Sequence, residues 1–214
     1  MDDRREPAKA PVMRLGWGLL GSRPGRIGLR LLCALMVARF QREHGPPALE
    51  SARAIVRLWR FDRYRSVALR PDEPWVLDDG TLLAGEDPVF EMHVRGDRLL
   101  EALAGGAHWK AIMAEEFHSL VPLLVDRDEV AIVGSTILRR QASAFGASLR
   151  DAPPGLHTTF DTFYRKLILM AFHRGGRRRV IGERQALADA AISCREFRTR
   201  FASAPVNLSD LARG

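Results

Sequence analysis

The sequence predicts an α+β fold: a single domain with a mixed β-sheet and helices packed on it, preceded by two basic amphipathic helices. Three observations carry this. WVLDDGTLLAGEDPVFEMHV, Trp75–Val94, reads as a hairpin followed by an alternating strand. Beyond it, apolar spacing switches between the helical and the extended period, with turn residues at the switches. The 214 residues are 46% hydrophobic and 28% charged, which suits one domain with a sizeable core and excludes a disordered chain.

Residues 1–11 are polar and contain proline, and are expected to form a disordered tail. Residues 12–66 form a basic region expected to be helical. Within it, Ile27–Phe40 (IGLRLLCALMVARF) is a strong helix candidate. Its longest run without a charge, Leu31–Ala38, is far short of the ~20 residues that a bilayer span needs. A Leu-rich helix flanked by arginines and preceded by Trp17 suits either a membrane interface or a domain core. No small-residue cleavage site follows it, so it does not read as a cleaved signal. Pro46-Pro47 ends that helix and opens a second, Ala48–Arg60, with Leu49, Ala52, Ile55, Val56 and Trp59 on one face. Tyr64–Leu69 reads as a strand.

Residues 67–201 form the α+β domain. Asp79-Gly80 suits a tight turn, because such turns need a positive φ that Gly accepts freely. Pro88 lacks an N–H and fits the start of a strand. From Val89 to Val94, Phe90, Met92 and Val94 point one way and Val89, Glu91, His93 and Arg95 the other. Asp97 caps a helix over Arg98–Ala104. His108–Val125 is an amphipathic helix with Trp109, Ile112, Met113, Phe117, Leu120, Val121 and Leu124 as its buried stripe. Val130–Val133 is a short strand. Thr136 is the expected N-cap of a helix over Ile137–Phe145, with Gly146 at its C′ position. Ala147–Arg150 is a further strand, Thr159–Phe172 a helix, and Leu187–Ile192 the last strand. Ser193-Cys194-Arg195-Glu196 is a capping box for a final helix ending near Phe201. Residues 202–214 are expected to be a loose tail.

The sharpest chemical feature is the pair Glu91 and His93, side by side on one strand face. A carboxylate beside an imidazole orients it and suits general acid–base work; the same pair also fits a solvated sheet face. Arg95 and Thr136 are candidate binding residues beside it, since a Gly-Ser-Thr turn before a helix can hold an anion. Arg177, Arg178 and Arg179 are candidates for a phosphate-bearing lipid or polymer. His108, Glu115 and His118 resemble half of a di-iron site, but the other half is absent from the chain and no metal is predicted. No cofactor motif is present. Cys33 and Cys194 fit small buried residues, with no disulfide or zinc spacing.

Charge is segregated along the chain. Residues 1–70 carry 15 basic and 6 acidic residues, residues 71–160 carry 7 and 15, and residues 161–214 carry 11 and 5. The basic ends can attract the acidic middle, or offer a surface to anionic lipid or nucleic acid.

The order LDDGT, EMHV, IVGSTILRRQASAFGASL, TFYRKLILMAFH and ISCREFRTRF resembles the YkoP-like bacterial family over about Leu69–Phe201. Some relatives join this domain to polysaccharide deacetylase domains, so the resemblance implies a cell-envelope setting. It carries over no catalytic residues. The leading expectation is an accessory or binding module, cytoplasmic at the inner face of the cell membrane and linked to envelope carbohydrate or lipid metabolism. Its partner would be an anionic membrane surface or an envelope polymer, with no transmembrane span. One alternative is an enzyme, a hydrolase or group transferase using Glu91 and His93. Another is nucleic-acid binding through the Arg-rich ends. The sequence leaves the oligomeric state open.

Overall fold

The computed structural model describes residues 23–104, 108–155, 158–159, 162–166 and 186–203. The expected N-terminal tail, residues 204–214 of the C-terminal one, Arg177–Arg179 and most of the predicted helix Thr159–Phe172 lie outside these residues; 158–159 and 162–166 are helical.

Six strands form one sheet: β1 (Leu49–Glu50), β2 (Val56–Phe61), β5 (Val89–Val94), β6 (Ala131–Thr136), β7 (Ser148–Asp151) and β8 (Ala188–Ser193). Their spatial order is β1-β2-β5-β6-β8-β7. Neighbours run antiparallel except β5 and β6, which are parallel. A parallel pair needs a long crossover. Here it contains helices α2 (Gly96–Ala104) and α3 (Trp109–Leu120), the latter running into a 3₁₀ turn at Val121–Leu124. The remaining helices are α1 (Arg23–His44), α4 (Arg139–Ala144) and α5 (Cys194–Phe201). The mixed sheet with packed helices is the predicted α+β domain.

Strand alternation sorts the core onto two faces. Leu58, Phe90, Ile132 and Ile192 face the helices and meet Ile112, Phe117 and Leu120 of α3 and Phe197 and Phe201 of α5. The Phe117 ring lies 5.1 Å from Phe145, 5.4 Å from Phe197 and 5.0 Å from Phe201, edge-on or tilted, as aromatic rings prefer. On the opposite face Val89, Ala131, Val133 and Ala191 lie under Tyr64, Trp75, Leu77 and Leu83. That lid is a hairpin of β3 (Trp75–Val76) and β4 (Leu82–Leu83), formed at the predicted Asp79-Gly80 turn, where Gly80 has φ 81°.

Asp79 locks the hairpin to the sheet. Its carboxylate accepts hydrogen bonds from Thr81 N at 3.1 Å, Thr81 Oγ1 at 3.0 Å and Ser193 Oγ at 2.6 Å, with Arg195 at 3.2 Å. Burial works to raise this carboxyl, but the bonds from Ser193, Thr81 and Arg195 outweigh it and hold it down at about 2. Ser193 Oγ also accepts from Glu196 N at 3.0 Å, the N-cap predicted for α5. The reciprocal half of the box is not made: the Glu196 carboxylate turns to Arg200 instead.

Three local expectations are corrected. The second helix, Ala48–Arg60, is instead β1 and β2. Its apolar residues match a helical spacing, but they also alternate: Val56 and Leu58 face the helices while Arg57, Trp59 and Phe61 face the other way. Ala54 takes φ 56° in the intervening turn, which no helix interior permits. Ser51 closes that turn, its Oγ accepting from Val56 N at 2.9 Å and donating to the buried Glu116 of α3 at 2.5 Å. The sheet therefore begins at Leu49, inside the stretch expected to be helical. Tyr64–Leu69 is not a strand; residues Tyr64–Ser66 form a 3₁₀ turn. Tyr64 N and Arg65 N bond to the loop carbonyls of Asp87 and Gly85, which buries the Tyr64 ring under the hairpin. Thr136 is not a helix N-cap: it ends β6, and its Oγ1 accepts from Leu138 N at 2.9 Å to turn the chain before α4.

Candidate functional site

Glu91 and His93 lie where the alternation of β5 puts them, on the sheet face away from α3 and α5. Across the strand pair, Trp59 stands opposite Glu91 and Arg57 opposite His93. Glu91 Oε1 is 3.3 Å from His93 Nε2, within ion-pair reach. The two are not aligned as a hydrogen bond, and Nε2 is buried without a partner. The imidazole is also walled in by rings. Phe40 lies 4.6 Å from it and Trp59 4.9 Å, while Phe40 and Trp59 stand edge to face at 5.2 Å. Phe40 comes from the last turn of α1. In this arrangement the carboxylate can orient the imidazole, and Phe40 and Trp59 cover part of the ring while the His93 side chain stays 37% exposed.

The same face continues across the sheet as a polar row. Val133 is the register partner of Glu91, so Ser135, two residues on, lies beyond it on the same face. Ser135 stands opposite Asp189 of β8, and Asp189 opposite Arg150 of β7. Arg165 hydrogen-bonds to Ser135. Arg150 ties this end to the hairpin segment. It donates to Tyr64 Oη at 2.9 Å and Glu73 O at 3.1 Å, approaches Asp189 at 3.5 Å, and lies 4.8 Å over the Trp75 ring. Burial raises the Asp189 carboxyl against the pull of Arg150. Burial and the nearby Asp189 push the Tyr64 phenol up to about 12. Arg150 Nε is buried without a partner, but its other nitrogens bond to Tyr64 and Glu73, which ties the hairpin segment to the sheet.

The other predicted site residues are not gathered here. Thr136 follows Ser135 and so belongs to the opposite face of β6, which removes it as a neighbour of Glu91 and His93. Arg95 lies in the turn after β5, where its guanidinium pairs with Asp97 at 2.5 Å. Arg177, Arg178 and Arg179 lie outside the described residues. His108 caps α3, Glu115 pairs with Arg53, and His118 Nδ1 meets Phe201 O at 2.7 Å, so the three do not converge. Among the described residues no cluster of His, Cys, Asp or Glu could hold a metal ion. Trp59 is buried, and Arg53, Arg57 and Arg60 pair with Glu115, Glu50 and Glu129. Cys194 is buried, and burial together with Glu129 pushes its thiol up to about 12, which makes it inert at neutral pH.

Sequence reasoning missed Phe40, Trp59, Ser135 and Asp189 as neighbours of the pair. Reading Val56–Phe61 with period two would have put Trp59 on a strand face beside Arg57 and Phe61. Nothing local announces that Phe40 reaches His93, because that contact depends on how α1 meets the sheet.

A family model, the YkoP domain, matches residues 60–197. Comparison with curated proteins and with solved structures returns no match.

Proposed function

The chain belongs to the YkoP family, and from that premise we propose that it is a non-catalytic binding module working at an anionic membrane surface, with α1 as its docking element. The observation that carries this reading is the exposure of α1. Ile27, Leu31 and Leu35 are 61%, 62% and 69% exposed, and Leu32, Met36 and Val37 are also open to solvent. Ile27, Leu31 and Leu35 recur every four residues and form one stripe of the helix. A helix that leaves this much apolar surface in water gains by covering it, at roughly 25 cal/mol per Å² of apolar area removed from water.

Charge favours lipid as the cover. Residues 1–70 carry 15 basic and 6 acidic residues, and Arg39 and Arg42 are exposed on α1 itself. Each basic residue near an anionic leaflet contributes about 1 kcal/mol. Among the described residues no helix is long and apolar enough to cross a membrane, so α1 would lie in the interface. A place at the inner face of the cell membrane, in an envelope setting, belongs to the same proposal.

Co-sedimentation with vesicles tests it. The protein should pellet with phosphatidylglycerol-containing vesicles at low salt, lose binding as salt rises, and ignore pure phosphatidylcholine. Leu31→Ser with Leu35→Ser should abolish the binding. If anionic vesicles fail to bind at low salt, the reading falls. If in addition the protein runs as a dimer that the double substitution converts to a monomer, a second copy covers α1 instead.

A further inference from the structure

The ring contacts that hold α1 on the sheet come from its last turn. Phe40 packs on Trp59 and His93, and the His44 ring lies 5.4 Å from Phe61. Just past the helix, Trp59 Nε1 donates to Gly45 O at 3.1 Å and pins the chain where it leaves α1. Nine residues of α-helix make about two and a half turns. Phe40 therefore lies on the side opposite Leu31, and His44 on the side opposite Leu35. Exposure follows the same geometry. Met36 and Val37, one turn before Phe40 on its side of the helix, are 38% and 47% exposed, against 62% and 69% for Leu31 and Leu35. The side of α1 that holds the sheet is not the side left open for lipid, so the two contacts do not compete.

The hairpin points the same way. Trp75 and Leu83 are buried against the sheet. Val76 and Leu82, paired across β3 and β4, take the other side by alternation and are 63% and 58% exposed. The hairpin and the last turn of α1 cover the same sheet face, while α3 and α5 pack on the opposite one. The exposed stripe of α1 and the Val76–Leu82 pair therefore look out from one side of the domain. Asp72, Glu73 and Asp78 are exposed around that pair. Their charge suits a hairpin that faces an anionic leaflet across water, not one that inserts into it.

We propose that α1 docks on lipid without leaving the sheet, and so sets the domain on the membrane in one orientation: the outer pair of the hairpin faces the leaflet, and α3 and α5 face away. The inference rests on the membrane reading of α1 and adds which side of the domain the membrane meets. A helix free of the sheet would act as a tether and leave the domain to turn. The ring contacts on the side away from the stripe, together with the bond from Trp59 to Gly45, hold α1 in place instead.

Co-sedimentation of the full chain with phosphatidylglycerol-containing vesicles reads the orientation at about 0.1 M salt, where the Debye length is about 10 Å. Val76→Lys with Leu82→Lys should bind about fivefold tighter than Val76→Glu with Leu82→Glu, the factor expected for one charge near an anionic leaflet. The same exchange at Leu123 and Val125, exposed in the helix layer on the opposite face, should change binding by less than about twofold, because the intervening layers separate it from the lipid by more than a Debye length. All four positions are exposed, so the substitutions leave the core intact, and circular dichroism checks that they do. Phe40→Ala, which loosens α1 from the sheet, should shrink the hairpin difference to that of the far pair. Equal differences at the two pairs, as net charge alone would give, or no difference at either, overturn the fixed orientation. A hairpin difference that survives Phe40→Ala overturns the part given to the ring contacts. If the unsubstituted protein does not bind the vesicles, the membrane reading itself falls and the orientation with it.

Discussion

One face of the sheet is covered twice, and the two covers are built differently. At one end the hairpin segment buries Tyr64, Trp75, Leu77 and Leu83 against Val89, Ala131, Val133 and Ala191. Polar ties reinforce it: Asp79 to Ser193 and Thr81, Arg150 to Tyr64 and Glu73, and Asp78 N to Ser148 Oγ at 2.7 Å. At the other end α1 rests on the sheet through the rings of Phe40 and His44, while its Ile27, Leu31, Leu32, Leu35, Met36 and Val37 are exposed. Apolar burial joined to charge-assisted hydrogen bonds makes a cover part of the fold. The second cover is held by the ring contacts of Phe40 and His44 with Trp59, His93 and Phe61. Individual aromatic pairs contribute about 0.5–1.5 kcal/mol beyond their area.

The largest expected effect lies in the hairpin. Leu83 is fully buried, and Leu83→Ala should lower global stability by roughly 2–5 kcal/mol in urea unfolding. A loss under about 1 kcal/mol, the range of a surface substitution, would show that the hairpin is not part of the cooperative unit. Asp79→Asn comes next, at roughly 1–3 kcal/mol near neutral pH for a carboxylate with charge-assisted bonds. Its sign is set by a folded value held down at about 2. The contribution of Asp79 is complete above the ordinary carboxylate range and is lost as pH falls toward about 2. The stability gap between the unsubstituted protein and the variant should therefore close in acid; a gap that is constant with pH would mean that the carboxylate charge is not what holds the turn.

The smallest global effect belongs to α1. Phe40→Ala should lower the unfolding free energy by about 1 kcal/mol, the low end for its two ring contacts with the sheet, while trypsin cleavage at Arg39 and Arg42 accelerates. A global loss as large as that of Leu83→Ala would make α1 a core element and erase the distinction between the two covers.

Much of this architecture is legible locally. The Asp79-Gly80 turn, the alternation of Val89–Val94, the buried stripe of α3 and the Ser193 cap each rest on a few neighbouring residues, and each forms where the sequence puts it. Val56–Phe61 failed because its apolar spacing satisfies two periods at once, and pairing with β5 chose the extended one. Thr136 failed because β6 runs three residues past the apolar run that ends at Val133, so Thr136 is still strand and falls on the opposite face.

For the candidate site, the sequence by itself determined that Glu91 and His93 share a strand face, because strand geometry alternates side chains whatever surrounds them. It also determined that residues 31–38 are apolar and too short to span a bilayer. Only the tertiary structure decided that Trp59 stands across from the pair, that Thr136 lies on the opposite face, and that Phe40 packs on His93 while Ile27, Leu31 and Leu35 stay exposed. Those facts join residues distant in the chain, and they follow from strand pairing and ring packing that no local pattern encodes.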